Sequence, residues 1–187
     1  MRKLYEELCH KYDLISTERV KKASAENKVT IYRSGIGIDV HPYSKTTKPC
    51  MLGCLEWDNT TGIEGHSDGD VIAHAICDSL LSASRLGDLG VVFGVDNVEM
   101  KNASGESMLK KTLEMLNGAG WFIENVSVQL CAKTPRITPR QFEVAYKMTE
   151  ILLAPVSFGA TTTDGLGFIG KGEGLCAIAT AQISKIM

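Results

Sequence analysis

Apolar positions along this chain follow two rhythms, and the changes between them mark a series of short strands and amphipathic helices. Val29, Ile31, Ile36, Ile38 and Val40 mix with polar residues and glycine, which predicts a strand that ends at His41. Residues 50–57 read as a second short strand, with residues 42–49 as the loop before it. Over residues 71–86, Val71, Ala75, Cys77, Leu80, Leu81 and Leu86 give a helix one apolar side. Ser67 or Asp68 is placed to cap that helix, and Gly87-Asp88-Leu89-Gly90 to end it. A second helix is expected over residues 104–117, where Met108, Leu109, Leu113, Met115 and Leu116 recur before Gly118 and Gly120. Phe122, Val126, Val128 and Leu130 predict a strand within residues 121–133. Residues 138–153 form the third expected helix, with Thr138 as cap and Pro139 at its first position. Strands over residues 156–163 and 175–186 complete the series, separated by a glycine-rich stretch at 165–174. Strands interleaved with helices imply an α/β or α+β sandwich with helices packed on one sheet.

Residues 1–28 break the pattern. They are charged and lack glycine, with Leu4, Cys9, Leu14 and Val20 at loosely helical spacing. No apolar core of a secretory signal is present, and five acids (Glu6, Glu7, Asp13, Glu18, Glu26) argue against a transit peptide. The expectation is an N-terminal extension, helical or mobile, of the kind a fusion junction leaves, followed by a single domain over 29–187.

Composition narrows the function classes. The chain's 187 residues suit one domain with a proper core, and a net charge of -2 gives no sign of a nucleic-acid or membrane surface. Any phosphorylated ligand must therefore be bound by a local site rather than a global field. No apolar run approaches the roughly 18 residues of a membrane span. The six cysteines are scattered, several in apolar runs, as expected of buried thiols in a reducing compartment; a cytoplasmic location follows as the default. Cys50-x-x-x-Cys54 lacks the second ligand pair that a zinc finger requires.

Candidate chemistry gathers in three places. Three of the 4 histidines fall between positions 41 and 74, among acids: Asp39-Val40-His41 and His66-Ser67-Asp68-Gly69-Asp70-x-x-x-His74. Imidazole and carboxylate are the natural ligands of a zinc-type ion, and a site without a thiolate cage keeps a position open for substrate. Asp39 and His41, two apart on a strand, point the same way. Either His66 or His74 can supply the third ligand, and Asp70 or Asp78 an acceptor that fixes an imidazole tautomer. The second place is Ala160-Thr161-Thr162-Thr163-Asp164-Gly165-Leu166-Gly167-Phe168, where three hydroxyls and following glycines can donate to phosphate oxygens. The third is Ala132-Lys133-Thr134-Pro135-Arg136-Ile137, a strand end with two cations suited to a diphosphate or nucleobase.

Taken in order and spacing, G-I-D-V-H, H-S-D-G-D-V-I-A-H, G-D-L-G, A-T-T-T-D-G-L-G-F and G-K-G-E-G resemble the 2-C-methyl-D-erythritol 2,4-cyclodiphosphate synthase family, from about Tyr32 to Ile186. The resemblance implies an α+β fold with a four-stranded mixed sheet, helices on one face, and a homotrimer with active sites between subunits. It implies Asp39, His41 and His74 as ligands of zinc or another divalent transition metal, and Asp164 as the carboxylate associated with magnesium or manganese. His66 and Ser67 would contact phosphate and the methylerythritol part, with His66 and Thr162 stabilising the transition state. Asp88, Gly90 and the loop from Phe93 through Asp96 and Asn97 would line the methylerythritol pocket. Ala132 to Thr138 (Lys133, Thr134, Pro135, Arg136 and Ile137 between them), together with Thr161 and Thr163, would hold the cytidine diphosphate portion, with Phe168 and Lys171 close by.

The implied reaction is cyclisation of 4-diphosphocytidyl-2-C-methyl-D-erythritol 2-phosphate with release of CMP. Its nucleophile is the substrate's own phosphate, largely ionised near neutrality because its second pKa is about 6. Departures from the family are specific. Asp164 stands where Glu is usual, Arg136 and Lys171 exchange the usual Lys and Arg, and Phe93-Gly94-Val95-Asp96-Asn97 replaces Phe-Pro-Asp-Thr-Asp. Two other readings compete: a zinc-dependent phosphohydrolase with Asp68 or Asp70 as base, and a trimeric nucleotide-binding scaffold without turnover.

Overall fold

A computed structural model of the chain describes residues 1–65, 67–94 and 103–187. Its frame is a four-stranded sheet in the order β1-β6-β4-β5, built from β1 (Thr30–Pro42), β4 (Phe122–Cys131), β5 (Val156–Thr161) and β6 (Gly174–Ile186). β6 runs antiparallel to both β1 and β4, whereas β5 is parallel to β4, so the sheet is mixed. The parallel step needs a crossover, and α5 (Gln141–Leu152) supplies it. Of the other helices, α2 (Val71–Ser84) packs on β1 and β6, and α4 (Gly105–Gly118) packs on α2. Val128, Leu130, Leu175, Ala177, Ala179 and Ile183 project from the sheet into this layer and are buried with Ile72, Ile76, Leu80 and Met148. The opposite face carries no helix among the described residues, and there Tyr32, Ile36, Ile38, Val40 and Ile178 are 43–57% exposed.

The α+β reading and the helix-on-one-face arrangement hold, and the differences are local. The expected strand over 50–57 is a small hairpin, β2 (Met51–Leu52) and β3 (Leu55–Glu56), because Gly53 and Cys54 both take positive φ and turn the chain. The cap of α2 is Asp70, not Ser67 or Asp68: its carboxylate accepts from the Ile72 and Ala73 N–H groups. Asp68 instead accepts from the N–H groups of Asp70 and Gly105, joining the start of α2 to that of α4. α2 stops at Ser84 with Arg85 left-handed, and α3 (Leu89–Phe93) follows, capped by Asp88. Thr138 makes no capping bond; residues Thr138–Arg140 form a 3-10 turn that leads into α5. The glycine-rich stretch contains a short helix, α6 (Gly167–Lys171), which the abundance of glycine concealed.

Residues at the N-terminus form α1 (Arg2–Ala25). The helix crosses the base of the sheet, the end opposite His41. Tyr5 donates to the Val156 carbonyl, Ser16 and Arg19 reach Glu124, and after the helix Val29 exchanges main-chain bonds with Met187. Glu124 is the extra residue of a bulge in β4, between Ile123 and Asn125, and the bulge gives it a partner in α1. No described helix is long and apolar enough to cross a membrane.

Candidate metal centre

The site is built where β1 and α2 touch. Gly35 and Gly37 alternate with Ile36 and Ile38 and face α2. A Cβ on Gly37 would lie 2.1 Å from the Ala75 carbonyl oxygen, and one on Gly35 2.1 Å from that of Ser79. Only hydrogen fits there, so the helix backbone rests directly on the strand. That close approach brings His74, in the first turn of α2, against Asp39 and His41 at the end of β1.

Asp39 Oδ2 lies 3.1 Å from His41 Nε2 and 2.9 Å from His74 Nδ1. One ligand atom from each of the three residues lies within 4.8 Å of the others. Zinc held tetrahedrally at 2.0–2.1 Å places its donors about 3.3 Å apart, so one ion can share all three with modest adjustment. Two imidazoles and one carboxylate also match zinc's donor preference and leave a fourth position open. The residues fit the ion.

Burial opposes ionisation of the Asp39 carboxyl, yet hydrogen bonds and charge from His41 and His74 outweigh it and hold its pKa at about 2. Burial likewise opposes protonation of His74, but Asp39 overrides it and raises the imidazole's pKa. The far nitrogen of His74, Nε2, lies 3.0 Å from Ser67 Oγ. Ser67 therefore fixes the ring's orientation, the task expected of Asp70 or Asp78. Those carboxylates serve the main chain instead: Asp70 accepts from Gly53, Cys54 and its own helix, and Asp78 from Leu89 N–H.

The remaining predicted residues fall into two groups. Asp88, Gly90 and Phe93 lie in or at the start of α3, which Asp78 tethers to α2 beside the metal residues. The hydroxyl and cation segments lie at the same end of the sheet but toward its other edge. Val40, Cys176, Cys131 and Thr161 are successive partners across the four strands, so Thr161 stands about 14 Å from the metal strand at the usual strand spacing. There Thr162 Oγ1 donates to Asp164 Oδ1 at 3.1 Å, and Thr163 Oγ1 to the Leu166 carbonyl at 2.7 Å. Asp164 takes φ 51°, which turns the loop and leaves its carboxylate exposed. Lys133, Thr162, Thr163, Gly165, Ile169 and Gly170 line a hollow of about 330 Å³. Lys171 lines a neighbouring one of about 540 Å³ with Tyr43, Lys45, Lys133, Thr134 and Glu173. Between buried Ala132 and Ile137, Lys133, Thr134 and Arg136 are exposed, as are Thr138 and Phe168. His66, Asp96 and Asn97 lie outside the described residues.

Thus one chain unites Asp39, His41, His74 and Ser67, and separately gathers Lys133 with Thr162 and Thr163, without bringing the two groups together. The alternating Gly35 and Gly37 were the overlooked signal, since glycine inside a strand marks a close backbone approach. Tyr43, between the two groups, carried no such signal.

The profile of the YgbB family matches residues 32–184. Among curated proteins, the bifunctional enzyme IspD/IspF of Clavibacter michiganensis is 44% identical over 177 residues, covering 94% of this chain and 43% of that protein. The 2-C-methyl-D-erythritol 2,4-cyclodiphosphate synthase of Acidothermus cellulolyticus is 44% identical over 151 residues, covering 81% of this chain and 93% of the other. The chain thus spans less than half of the bifunctional relative and most of the single-function one. Among solved structures, a 2C-methyl-D-erythritol-2,4-cyclodiphosphate synthase in its CDP-bound form superposes with a TM-score of 0.73 at 26% identity, covering 80% of this chain and 98% of that one.

Proposed function

The chain belongs to the YgbB family, and from that premise we propose that it is a 2-C-methyl-D-erythritol 2,4-cyclodiphosphate synthase. The observation that carries the reading is the convergence of Asp39, His41 and His74 from separate elements onto one ion-sized position. In the reaction an oxygen of the substrate's 2-phosphate attacks its β-phosphorus. A new phosphorus–oxygen bond forms, the β-phosphorus to bridging-oxygen bond breaks, and CMP leaves with the electron pair. No residue needs to remove a proton, because the attacking phosphate is already largely ionised.

The protein's task is therefore to fold the substrate and neutralise the charge it gathers. Asp39, His41 and His74 would hold zinc or a related divalent ion, with Ser67 orienting His74, and Asp164 would hold magnesium or manganese at the diphosphate end. Bound there, the two ions supply Lewis-acid polarisation of the phosphoryl oxygens. Thr162, with His66, stabilises charge on the reacting phosphoryl group, and Thr161 and Thr163 donate toward the diphosphate. The 132–138 segment, with Lys133 and Arg136, receives the cytidine diphosphate end, and Lys171 adds a third cation. Asp88, Gly90 and Phe93, continuing to Asp96 and Asn97, enclose the methylerythritol end.

The separation of about 14 Å between the metal strand and the hydroxyl loop supports a homotrimer in which each site takes one half from a neighbour. The sheet face left open by the described helices supports the same assembly, since Ile36, Ile38, Val40 and Ile178 form an apolar surface there. Residues 29–187 make up the catalytic unit, and residues 1–28 add α1 at its base.

A zinc phosphohydrolase would use the same ligands but a different nucleophile. Turnover in 18O-labelled water, with metal analysis of the purified protein, separates them. Cyclisation yields unlabelled cyclodiphosphate and CMP with one transition metal per chain; label in the phosphorus products would overturn the cyclase reading.

A further inference from the structure

Tyr43 stands two residues beyond His41, and segments from three parts of the site meet around it. Its N–H donates to the Glu173 carbonyl at 3.1 Å, and it forms an antiparallel bridge with Ile63. On either side Ser44 N–H donates to Gly62 at 2.7 Å and Glu64 N–H to Pro42 at 3.0 Å. Its backbone is thus fixed both to the start of β6 and to the segment that leads into Ser67. From that position the phenol hydroxyl donates to the Thr134 carbonyl oxygen at 2.5 Å.

Thr134 belongs to the exposed stretch 133–136, between buried Ala132 and Ile137. Ala132 is tied to Thr161 by a main-chain bond of 3.1 Å. Beyond it, among the described residues, the bond from Tyr43 is the single hydrogen bond that residues 133–136 make. We infer that Tyr43 is a positioning residue for the nucleotide end of the substrate, its hydroxyl holding the 133–136 loop in the shape that receives cytidine diphosphate. The assignment rests on the cyclase reading and deepens it: the chain segment that carries the metal ligand His41 also sets the nucleotide loop. Phenylalanine would keep the ring's packing and leave that loop without its tie.

The test compares wild type with Tyr43→Phe, both zinc-loaded, by CMP titration calorimetry, cyclisation kinetics, zinc content and thermal melting. A neutral hydrogen bond contributes roughly a factor of two to ten to an equilibrium. The variant is expected to raise the CMP Kd and the substrate KM by about that factor, with kcat within about twofold. Zinc content and melting midpoint stay those of wild type. Unchanged CMP affinity and KM in the variant would overturn the assignment, and so would a loss of zinc with lower stability, which would mark Tyr43 as structural. A wild type that neither binds CMP nor cyclises would overturn the cyclase reading itself, an outcome distinct from an unperturbed variant.

Discussion

The two edges of the sheet solve opposite problems. At the β1 edge, Asp39 and His74 are half-buried and buried, locked to each other and to Ser67, and pressed together by a strand and helix with no side chain between their backbones. At the β5 edge, Thr162, Thr163, Asp164, Lys133 and Arg136 are largely exposed on loops. The first is complete within one chain. The second offers donors and cations to something that arrives later. Metal ligands must be within a few tenths of an ångström of their places before the ion binds, whereas a diphosphate can draw flexible loops around itself. On the proposed reading, rigidity is placed where a small error would lose the ion, and openness where a long substrate would enter.

The sharpest way to break that contrast is Gly37→Ala. The added methyl meets the Ala75 carbonyl oxygen at 2.1 Å and Ser79 N at 2.6 Å, both main-chain atoms that cannot yield without moving α2. Overpacking of this kind costs about 1–3 kcal/mol of stability. Displacing His74 is expected to weaken metal affinity about 10- to 100-fold, in line with losses of ligand support elsewhere. Metal titration of the refolded variant reads the effect. Wild-type affinity would mean that the ligands adapt freely and that the β1 edge is no more rigid than the β5 edge.

Asp164→Asn probes the other edge and should act more mildly. The carboxylate is exposed, and its recorded side-chain bond comes from Thr162, which an amide oxygen can also accept. The fold and the β1-edge ion should be untouched. Removing one charge from an oxygen-ligated ion is expected to raise the magnesium needed for half-maximal turnover on the order of tenfold. A magnesium titration that overlays wild type would remove Asp164 from the diphosphate end.

The contrast between the edges also explains what could be read from the chain. The strands β1, β4 and β6 and the helices α2 and α4 follow from periodicity because burial on one face dictates it. Asp39 and His41 were legible as a pair because strand geometry alone makes i and i+2 converge. That His74 joins them was not, since it depends on how closely α2 approaches β1, a tertiary fact signalled by Gly35 and Gly37. Asp70 was misassigned for a related reason. Local spacing put Ser67 and Asp68 within reach of the cap, and the hairpin turn at Gly53 and Cys54, distant in sequence, is what needs a buried acceptor at Asp70. The tie from Tyr43 to Thr134 spans 91 positions and leaves no local pattern.

The base of the sheet supplies the test with the smallest expected effect on the site, because it should change stability and leave both edges alone. Arg19 pairs with Glu124 at 2.5 Å, with the two side chains only 18% and 8% exposed, and its guanidinium lies 4.2 Å from the Phe122 ring centre. Arg19→Ala leaves the Glu124 carboxylate buried with, among the described residues, the Ser16 and Ser184 hydroxyls as partners. Removing one member of a buried pair costs about 3–5 kcal/mol. Arg19 Nε is itself buried without an acceptor among the described residues, which places the loss toward the lower end of that range. For a chain of this size about 3 kcal/mol lowers the melting midpoint by roughly 6–12 °C. Zinc content, KM and kcat below the transition should match wild type, since the pair lies at the end of the strands opposite His41 and Thr161. A change in nucleotide affinity, with the midpoint unmoved, would instead join α1 to the β5 edge and end the separation between base and site.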